Sequence, residues 1–85
     1  MTIRTPAAVE AAVSAPLGAR VRVDGVEVTV GHPIELVRYQ LVDTQWEPEL
    51  VSGWFAGLDD TGAIIAVTGD QVGVYERPEW LVCSQ

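Results

Sequence analysis

The stretch ARVRVDGVEVTV, at residues 19–30, constrains the fold more than any other part of this chain. Asp24 and Gly25 form a favoured pair for a two-residue hairpin turn, because both turn positions require a positive φ. A turn there places Arg22 opposite Glu27, as an oppositely charged cross-strand pair on one face of the hairpin. The other face carries valines, which are Val21, Val23, Val26, Val28 and Val30. The pattern predicts a half-buried β-hairpin and therefore favours a β fold.

Residues 5–15, TPAAVEAAVSA, predict a short N-terminal helix. Thr5 can cap the helix, Pro6 suits its first position, and Pro16 blocks its continuation. Small apolar side chains recur three or four residues apart and form a narrow stripe, made of Ala8, Val9, Ala12 and Val13. A helix of about three turns is too short to persist alone, so we expect this stripe to pack on the rest of the protein.

Residues 34–42, IELVRYQLV, carry apolar side chains on both faces of a predicted strand. This pattern is typical of a strand that is buried on both sides, and the N-terminal helix is a suitable cover for one of them. The polar residues of the following segment, DTQWEP at 43–48, predict a loop in which Trp46 is exposed.

Residues 49–58, ELVSGWFAGL, predict a strand in which Trp54 and Phe55 point to opposite faces. Because Trp54 has leucines as neighbours on its own face, we expect Trp54 in the core. Phe55 is then half-exposed or lies under the helix. Gly53 and Gly57 lie on the second face, where glycine usually marks a β-bulge or a close approach of the backbone.

Turns and strands alternate through the last third of the chain. DDTG at 59–62 fits a four-residue hairpin loop, with a type I turn followed by glycine in the left-handed region. AIIAVT at 63–68 and VGVYE at 72–76 predict two strands joined by a tight turn. RPEW at 77–80 predicts a short turn or a single 3₁₀ turn, which leads into a last strand, LVC at 81–83.

Composition limits the compartment and the class of partner. The 85 residues carry a formal net charge of −7 with a pI near 4.3, and all five basic residues are arginine. An acidic surface repels phosphate backbones and attracts basic proteins, so direct nucleic-acid binding is disfavoured. Cys83 is the single cysteine, which excludes an intramolecular disulfide, and no apolar run has the length of a membrane span. We expect a cytoplasmic protein, and the absence of lysine is typical of a GC-rich genome, such as that of an actinobacterium or its phage.

The sequence contains no recognisable catalytic or cofactor motif. His32 is the single histidine and lies in a Gly-His-Pro turn, so a metal site there would need carboxylates as its other ligands. Asp59 and Asp60 are residues that a hairpin turn prefers, and the further oxygen ligands of a calcium loop are missing. No serine has the setting of a nucleophile elbow, and no glycine-rich loop carries a phosphate-binding lysine. We therefore expect no enzymatic activity, no cofactor and no metal ion.

The order of features in residues 52–83 resembles the second half of a Src-homology-3-like (SH3-like) barrel. The segment Trp54-Phe55-Ala56-Gly57 corresponds to the family's Trp-aromatic-x-Gly strand, and Arg77-Pro78-Glu79-Trp80 corresponds to its turn before the closing strand. The resemblance implies a recognition or assembly module without catalysis. The fold class that we predict is all-β, in one domain over residues 1–85: a short N-terminal α-helix at 5–15 and a small barrel of about five to six short antiparallel strands at 19–85.

Aromatic residues beside acidic ones suggest a binding site. Exposed aromatic rings and carboxylates suit a partner that presents arginine or lysine, through cation–π contacts and ion pairs. The residues that we assign to a partner-binding site are Trp46, Glu47, Glu49, Tyr75, Glu79 and Trp80. In the alternative interpretation, Trp46 and Trp80 close the ends of the barrel and belong to the core.

Three functions fit these observations. The first is a non-enzymatic protein-binding or assembly module that recognises a basic or proline-containing surface of its partner. A phage origin of the gene is compatible with this function. The second is a structural subunit that forms a homo-oligomer through sheet edges or its helix, as virion connector and decoration proteins do. The third is an acidic mimic of nucleic acid that inhibits a host protein.

Overall fold

The computed structural model describes residues 7–84, which form seven β-strands in two sheets and one short helix. The helix is α1 (Ala7–Ala12), and the strands are β1 (Arg20–Val23), β2 (Val26–Thr29), β3 (Pro33–Val42), β4 (Gln45–Leu58), β5 (Ile64–Thr68), β6 (Gln71–Tyr75) and β7 (Leu81–Ser84). The prediction of a small, mostly β domain with one N-terminal helix is therefore confirmed. Thr5 and Pro6, the predicted start of the helix, lie outside the described residues.

The β1–β2 hairpin forms as the valine pattern predicts. Its turn residues, Asp24 and Gly25, have φ angles of 50° and 82°, and its strands pair in the predicted register. Val23 and Val28 are completely buried, because the valine face packs on the larger sheet. The hairpin is a separate two-stranded sheet.

The other five strands form one antiparallel sheet in the order β6-β5-β4-β3-β7. Within residues 7–84 its outermost strands, β6 and β7, do not pair with each other, so the sheet is open. The predicted closed barrel is therefore wrong, and the strand count is seven instead of five to six. The physical reason is that the β1–β2 hairpin covers one face of the sheet as a second layer and does not pair with its edges.

β3 and β4 form the longest hairpin, in ten consecutive pairs that end with Val42 opposite Gln45. Asp43 and Thr44 make its two-residue turn, with φ angles of 48° and 67°. The predicted loop at 43–48 is therefore wrong, because the chain returns to strand directly after Thr44. A β-branched residue such as Thr44 rarely adopts a positive φ, so the sequence carries no familiar turn signal at this point.

Alternation along the strands divides the five-stranded sheet into two faces. The inner face packs against the β1–β2 hairpin and holds the main core, which includes Leu36, Phe55 and Ile64. The outer face packs against α1 through a second cluster that includes Val67, with Trp54 at its margin. The helix packs mainly on the part of the outer face formed by β4, β5 and β6.

Trp54 and Phe55 exchange the roles that the sequence predicts for them. Phe55 is completely buried on the inner face, whereas Trp54 is half-buried beside α1 on the outer face. The two side chains do point to opposite faces, as the alternation predicts. The inner face is the deeper of the two because the β1–β2 hairpin supplies a larger apolar cover than the alanine-rich helix.

α1 ends at Ala12, three residues earlier than predicted. The backbone N–H of Ser14 donates to the carbonyl oxygen of Ala56 at 2.9 Å, which draws the chain away from the helical path. Gly57 makes this approach possible: its φ is 122°, and a Cβ at this position would overlap the Ser14 hydroxyl. The register of β4 with β5 also shifts between Phe55 and Gly57, beside the glycine at which the sequence pattern predicts a bulge or a close approach.

The four-residue loop at 59–62 forms as predicted. The Asp59 carboxylate accepts hydrogen bonds from the Thr61 hydroxyl at 2.7 Å and from the backbone N–H groups of Thr61 and Ala63 at 2.9 Å. Gly62 follows with a φ of 89°. The hydrogen bond from the Thr61 side chain, and then that from Ala63, lowers the pKa of Asp59 below its ordinary value.

Candidate protein-binding surface

The end of the β3–β4 hairpin projects from the body of the protein. Among the described residues, β7 pairs with β3 only at 35–37, and β5 pairs with β4 only at 54–58. Residues 38–53 therefore pair with one another alone, and the molecule is 43 Å long against 25 and 20 Å in its other dimensions. The predicted burial of residues 34–42 on both faces holds only as far as Val37, because no second layer covers the rest of the strand.

The outer face of the projecting hairpin is apolar and uncovered. We define the apolar strip as its three cross-strand pairs, which are Leu41–Trp46, Tyr39–Pro48 and Val37–Leu50; Val37, at the base of the strip, is buried, and the other five residues are exposed. The exposed fractions are 69% for Trp46, 60% for Leu41, 58% for Tyr39 and 57% for Leu50. Two large aromatic rings and two leucines at this exposure make an apolar patch of about 500 Å². A patch of that size is near the upper end of what monomeric proteins expose, and such patches are often functional.

Acidic groups stand at both ends of the apolar strip. Glu35, which accepts a hydrogen bond from Ser52 at 3.4 Å, lies at the base of the strip on the outer face. Asp43 lies at the tip, in the turn. None of the arginines in the described residues lies on the outer face of the hairpin: Arg38 is on the inner face, and the others are outside β3 and β4.

The inner face of the hairpin carries an ionic cluster around Arg38. The guanidinium carbon of Arg38 lies 4.7 Å from the centroid of the Trp80 ring. Its Nη1 donates to Glu79 at 2.7 Å and its Nε donates to Glu49 at 2.9 Å, while Nη2 also donates to Glu49. These hydrogen bonds, first that to Glu79 and then that to Glu49, raise the pKa of Arg38 above its ordinary value. We call these four residues the Arg38 cluster, and it joins the hairpin to the turn that precedes β7.

The two predicted site residues nearest the hairpin tip lie on different faces. Trp46 belongs to the apolar strip, whereas Glu47, its neighbour along β4, is exposed on the inner face opposite Gln40. Because the two side chains lie on opposite faces of the hairpin, a single compact group of a partner cannot contact both of them. The interpretation of Trp46 as a core plug is wrong, because this is the most exposed of the large apolar side chains in residues 7–84.

The other four predicted site residues make their contacts within the chain. Trp80 is only 7% exposed and belongs to the main core, so its interpretation as a core residue is correct. Tyr75 packs against Trp80 in a T-shaped arrangement, with ring centroids 5.1 Å apart. Glu49 and Glu79 belong to the Arg38 cluster. The sequence pattern suggests that a partner supplies a cation to these rings and carboxylates. In the structure, Arg38 of this chain supplies it to Trp80, Glu49 and Glu79.

Sequence reasoning missed the exposure of Tyr39, Leu41 and Leu50. Their pattern is symmetrical about residues 43–44: apolar residues precede the turn at every second position and follow it at every second position. That symmetry is the signal of a hairpin with one apolar face. It is recognisable only when the turn is located, and the sequence has no glycine there to mark it.

The rest of the described chain offers no comparable site. It holds no group of three or more metal-ligating side chains. None of its helices has both the length and the apolar character needed to cross a membrane. Arg77 lines a shallow depression beside the 59–62 loop. Its Nε donates to the Gly62 carbonyl at 2.9 Å, and its Nη1 donates to Asp24 at 3.1 Å.

Comparison with known proteins assigns no family to the chain. No family model, curated protein or solved structure matches it. The features of the molecule that bear on its function are therefore the apolar strip, its charges and its place on the projecting hairpin.

Proposed function

We propose that the protein is a non-enzymatic protein-binding module of the cytoplasm, and that the partner docks on the apolar strip. The observation that carries this proposal is the exposure of Trp46, Leu41, Tyr39 and Leu50 side by side on one face of a projecting hairpin. The sequence resemblance of residues 52–83 to SH3-like recognition modules agrees with a binding role. The proposal keeps Trp46 from the predicted site and replaces its other members with residues of the strip.

The strip has the composition of an interface centre. Tyrosine and tryptophan are enriched among the residues that dominate binding energy, because they cover a large apolar area with few rotatable bonds. About 500 Å² on one partner is smaller than the roughly 800 Å² of a standard interface, so the partner also contacts the rim of the hairpin. Leu81 of β7 lies opposite Val37 and extends the apolar area at the base of the strip.

Charge favours a basic partner. The chain has a formal net charge of −7. Within the hairpin end, residues 39–48 include Asp43 and Glu47 and no basic residue. Long-range attraction of a basic protein accelerates association, and the apolar strip then supplies most of the affinity.

A structural subunit that assembles with copies of itself is the second candidate. The open edges of the five-stranded sheet and the apolar strip favour it, because both are surfaces that a second copy can cover. In a phage-encoded version, such contacts would build a connector or decoration assembly.

Capture experiments with matched variants test the proposal. Wild-type protein, Trp46→Ser and Val72→Ser are each used to capture partners from a host lysate, and the captured protein is then purified and its affinity measured by calorimetry. Val72 is the control because it is 55% exposed on β6, away from the strip. We expect binding to wild type and Val72→Ser and loss of binding to Trp46→Ser.

Two results contradict the proposal. Equal affinity of the purified partner for wild type and Trp46→Ser would place binding elsewhere on the molecule. A stable oligomer in light scattering that Trp46→Ser dissociates would show that the strip joins copies of this chain, which is the structural-subunit function.

A further inference from the structure

A partner segment can approach the hairpin along its edge or on its face, and Pro48 obstructs the edge. In an antiparallel hairpin, residues alternate between bonding to the facing strand and directing their backbone groups outward. Proline has no N–H and is tolerated in a strand where that position faces outward. The outward-facing positions of β4 in the strip are thus Trp46, Pro48 and Leu50, and the middle one has no donor. Proline at such a position is a known protection of an edge strand against pairing.

The other edge of the hairpin is short. β7 already pairs with β3 as far as Val37. Beyond that pair, Tyr39 and Leu41 are the remaining positions of β3 that face outward by the same alternation. An added strand would find hydrogen-bonding groups of only two residues, so this edge has room for a strand no longer than about four or five residues.

The face of the apolar strip suits an α-helix. An extended segment laid across this face would leave its backbone N–H and C=O groups without partners. A helix satisfies these groups internally and presents only side chains. The same outer face already packs against a helix, because α1 covers the neighbouring region at Val67. Glu35 and Ser52 form the border between the covered region and the strip.

The two acidic ends of the strip define where a bound helix would carry positive charge. Glu35 and Asp43 are eight positions apart along the chain, or about 26 Å in an extended strand. A helix of that length has about 17 residues. A lysine or arginine near each end would pair with these carboxylates, while apolar residues between them would contact Tyr39 and Trp46.

A second copy of this chain fits the same surface less well. Two copies packed face to face about a two-fold axis would place Glu35 or Asp43 of one copy near an acidic residue of the other. Each copy also has a net charge of −7. Like charges at both ends of a contact oppose association.

We propose that the segment bound by the apolar strip is an amphipathic α-helix of a partner protein, about 17 residues long and basic at both ends. This inference rests on the proposed function, since it names the occupant of the same surface. The helix lies across the outer face of the β3–β4 hairpin, beside the region that α1 covers.

Three synthetic peptides of about 17 residues test the inference against the full chain. The first is an amphipathic helix with leucines on one side and lysines at both ends. The second has the same residues rearranged so that leucine and lysine alternate, which favours a strand. The third is the first helix with glutamates in place of the lysines. Binding is followed by nuclear magnetic resonance titration, with isotope label in the protein and then in the peptide.

The expected result is that the first peptide binds with a Kd of about 100 μM or tighter, while the other two bind at least about tenfold more weakly. The labelled peptide should show helical chemical shifts, and the protein should shift at the strip. Trp46→Ser and Leu41→Ser should weaken binding about tenfold or more, and Val72→Ser should not. Asp43→Asn should weaken binding about two- to fivefold, and Asp70→Asn, at the turn between β5 and β6, should not.

Tighter binding of the alternating peptide, with protected backbone amides at Leu50 and Ser52, would overturn the inference in favour of strand addition. Binding of none of the three peptides would overturn it as well. A partner that depends on Trp46 in the capture experiment would then still support the proposed function. Loss of that dependence, or a homo-oligomer that Trp46→Ser dissociates, would overturn both.

Discussion

Arg38 stacks on Trp80, with its guanidinium carbon 4.7 Å from the ring centroid, while Glu49 and Glu79 accept its hydrogen bonds. The contact ties β3, which lies next to the edge strand β7 in the sheet order, to the turn that leads into β7. It also gives Trp80, which is nearly buried, a polar boundary toward solvent. The acids and the ring that resemble a binding site in the sequence therefore form a structural cluster, and the apolar strip that we propose as the binding face lies on the other side of the same hairpin.

Arg38→Lys should lower the melting temperature. Lysine is a point donor on a flexible stem, so it cannot bridge two carboxylates and stack on the indole ring at the same time. Arg20→Lys is the matched control, because Arg20 makes an exposed ion pair with Glu27 at 3.9 Å and no ring contact is observed for it. Thermal unfolding followed by circular dichroism measures both. An equal effect of the two substitutions would show that the Arg38 cluster does not stabilise the fold.

Trp80→Ala and Trp46→Ala should have very different effects on stability. Removing the buried ring of Trp80 should reduce the free energy of unfolding by about 3–5 kcal/mol. Removing the exposed ring of Trp46 should reduce it by less than about 1 kcal/mol. Urea denaturation of the two variants and the wild type provides the comparison. A loss above about 2 kcal/mol in Trp46→Ala would place this ring in a structural contact.

Local patterns with unambiguous turn residues predict the structure well. Asp24-Gly25 determined the register of the β1–β2 hairpin, and the acids and glycine of residues 59–62 predicted their loop. In both places the backbone needs residues that tolerate a positive φ, and the sequence has them. The position of α1 followed from its small apolar stripe, but its end depends on a hydrogen bond from Ser14 to a distant strand.

The candidate site was harder to predict because its position depends on long-range register. The turn at Asp43 and Thr44 lacks glycine, so residues 43–48 read as a polar loop. Without that turn, Tyr39 and Trp46 cannot be placed on one face. The sequence left the burial of Trp80 ambiguous for a related reason. Burial of a large aromatic side chain depends on which layer covers it, and the segment beside Pro78 has no hydrophobic periodicity that would indicate a face.

Asp59→Asn should change how stability depends on pH. The pKa of Asp59 is lowered in the folded protein, so its carboxylate stabilises the fold at a pH above the ordinary pKa of 3.8. That contribution is lost as the pH falls through the lowered pKa of the folded state. The wild type should therefore lose more stability than Asp59→Asn between about pH 5 and pH 3. Denaturant unfolding across this range measures the difference, with Asp60→Asn as a control that retains the hydrogen bonds of Asp59.

Thr44→Gly should stabilise the projecting hairpin. Thr44 has a φ of 67°, a conformation that costs an L-residue about 1–2 kcal/mol and that glycine adopts freely. The substitution also creates an Asp-Gly pair, which is favoured in a two-residue hairpin turn. Because glycine adds entropy to the unfolded chain, the net gain should be about 1 kcal/mol.

Hydrogen exchange separates this local effect from a global one. The amides of Gln40 and Glu47, on either side of the turn, should exchange more slowly in Thr44→Gly than in the wild type. Thr44→Ala is the control, since alanine removes the β-branch and keeps the cost of a positive φ. Equal exchange in all three proteins would show that the turn does not limit hairpin opening. The stabilised hairpin can be compared with the wild type in its affinity for the lysine-ended helical peptide. Tighter binding by Thr44→Gly would show that the apolar strip binds in the conformation described for the free protein. It would also show that ordering of the hairpin is part of the cost of binding.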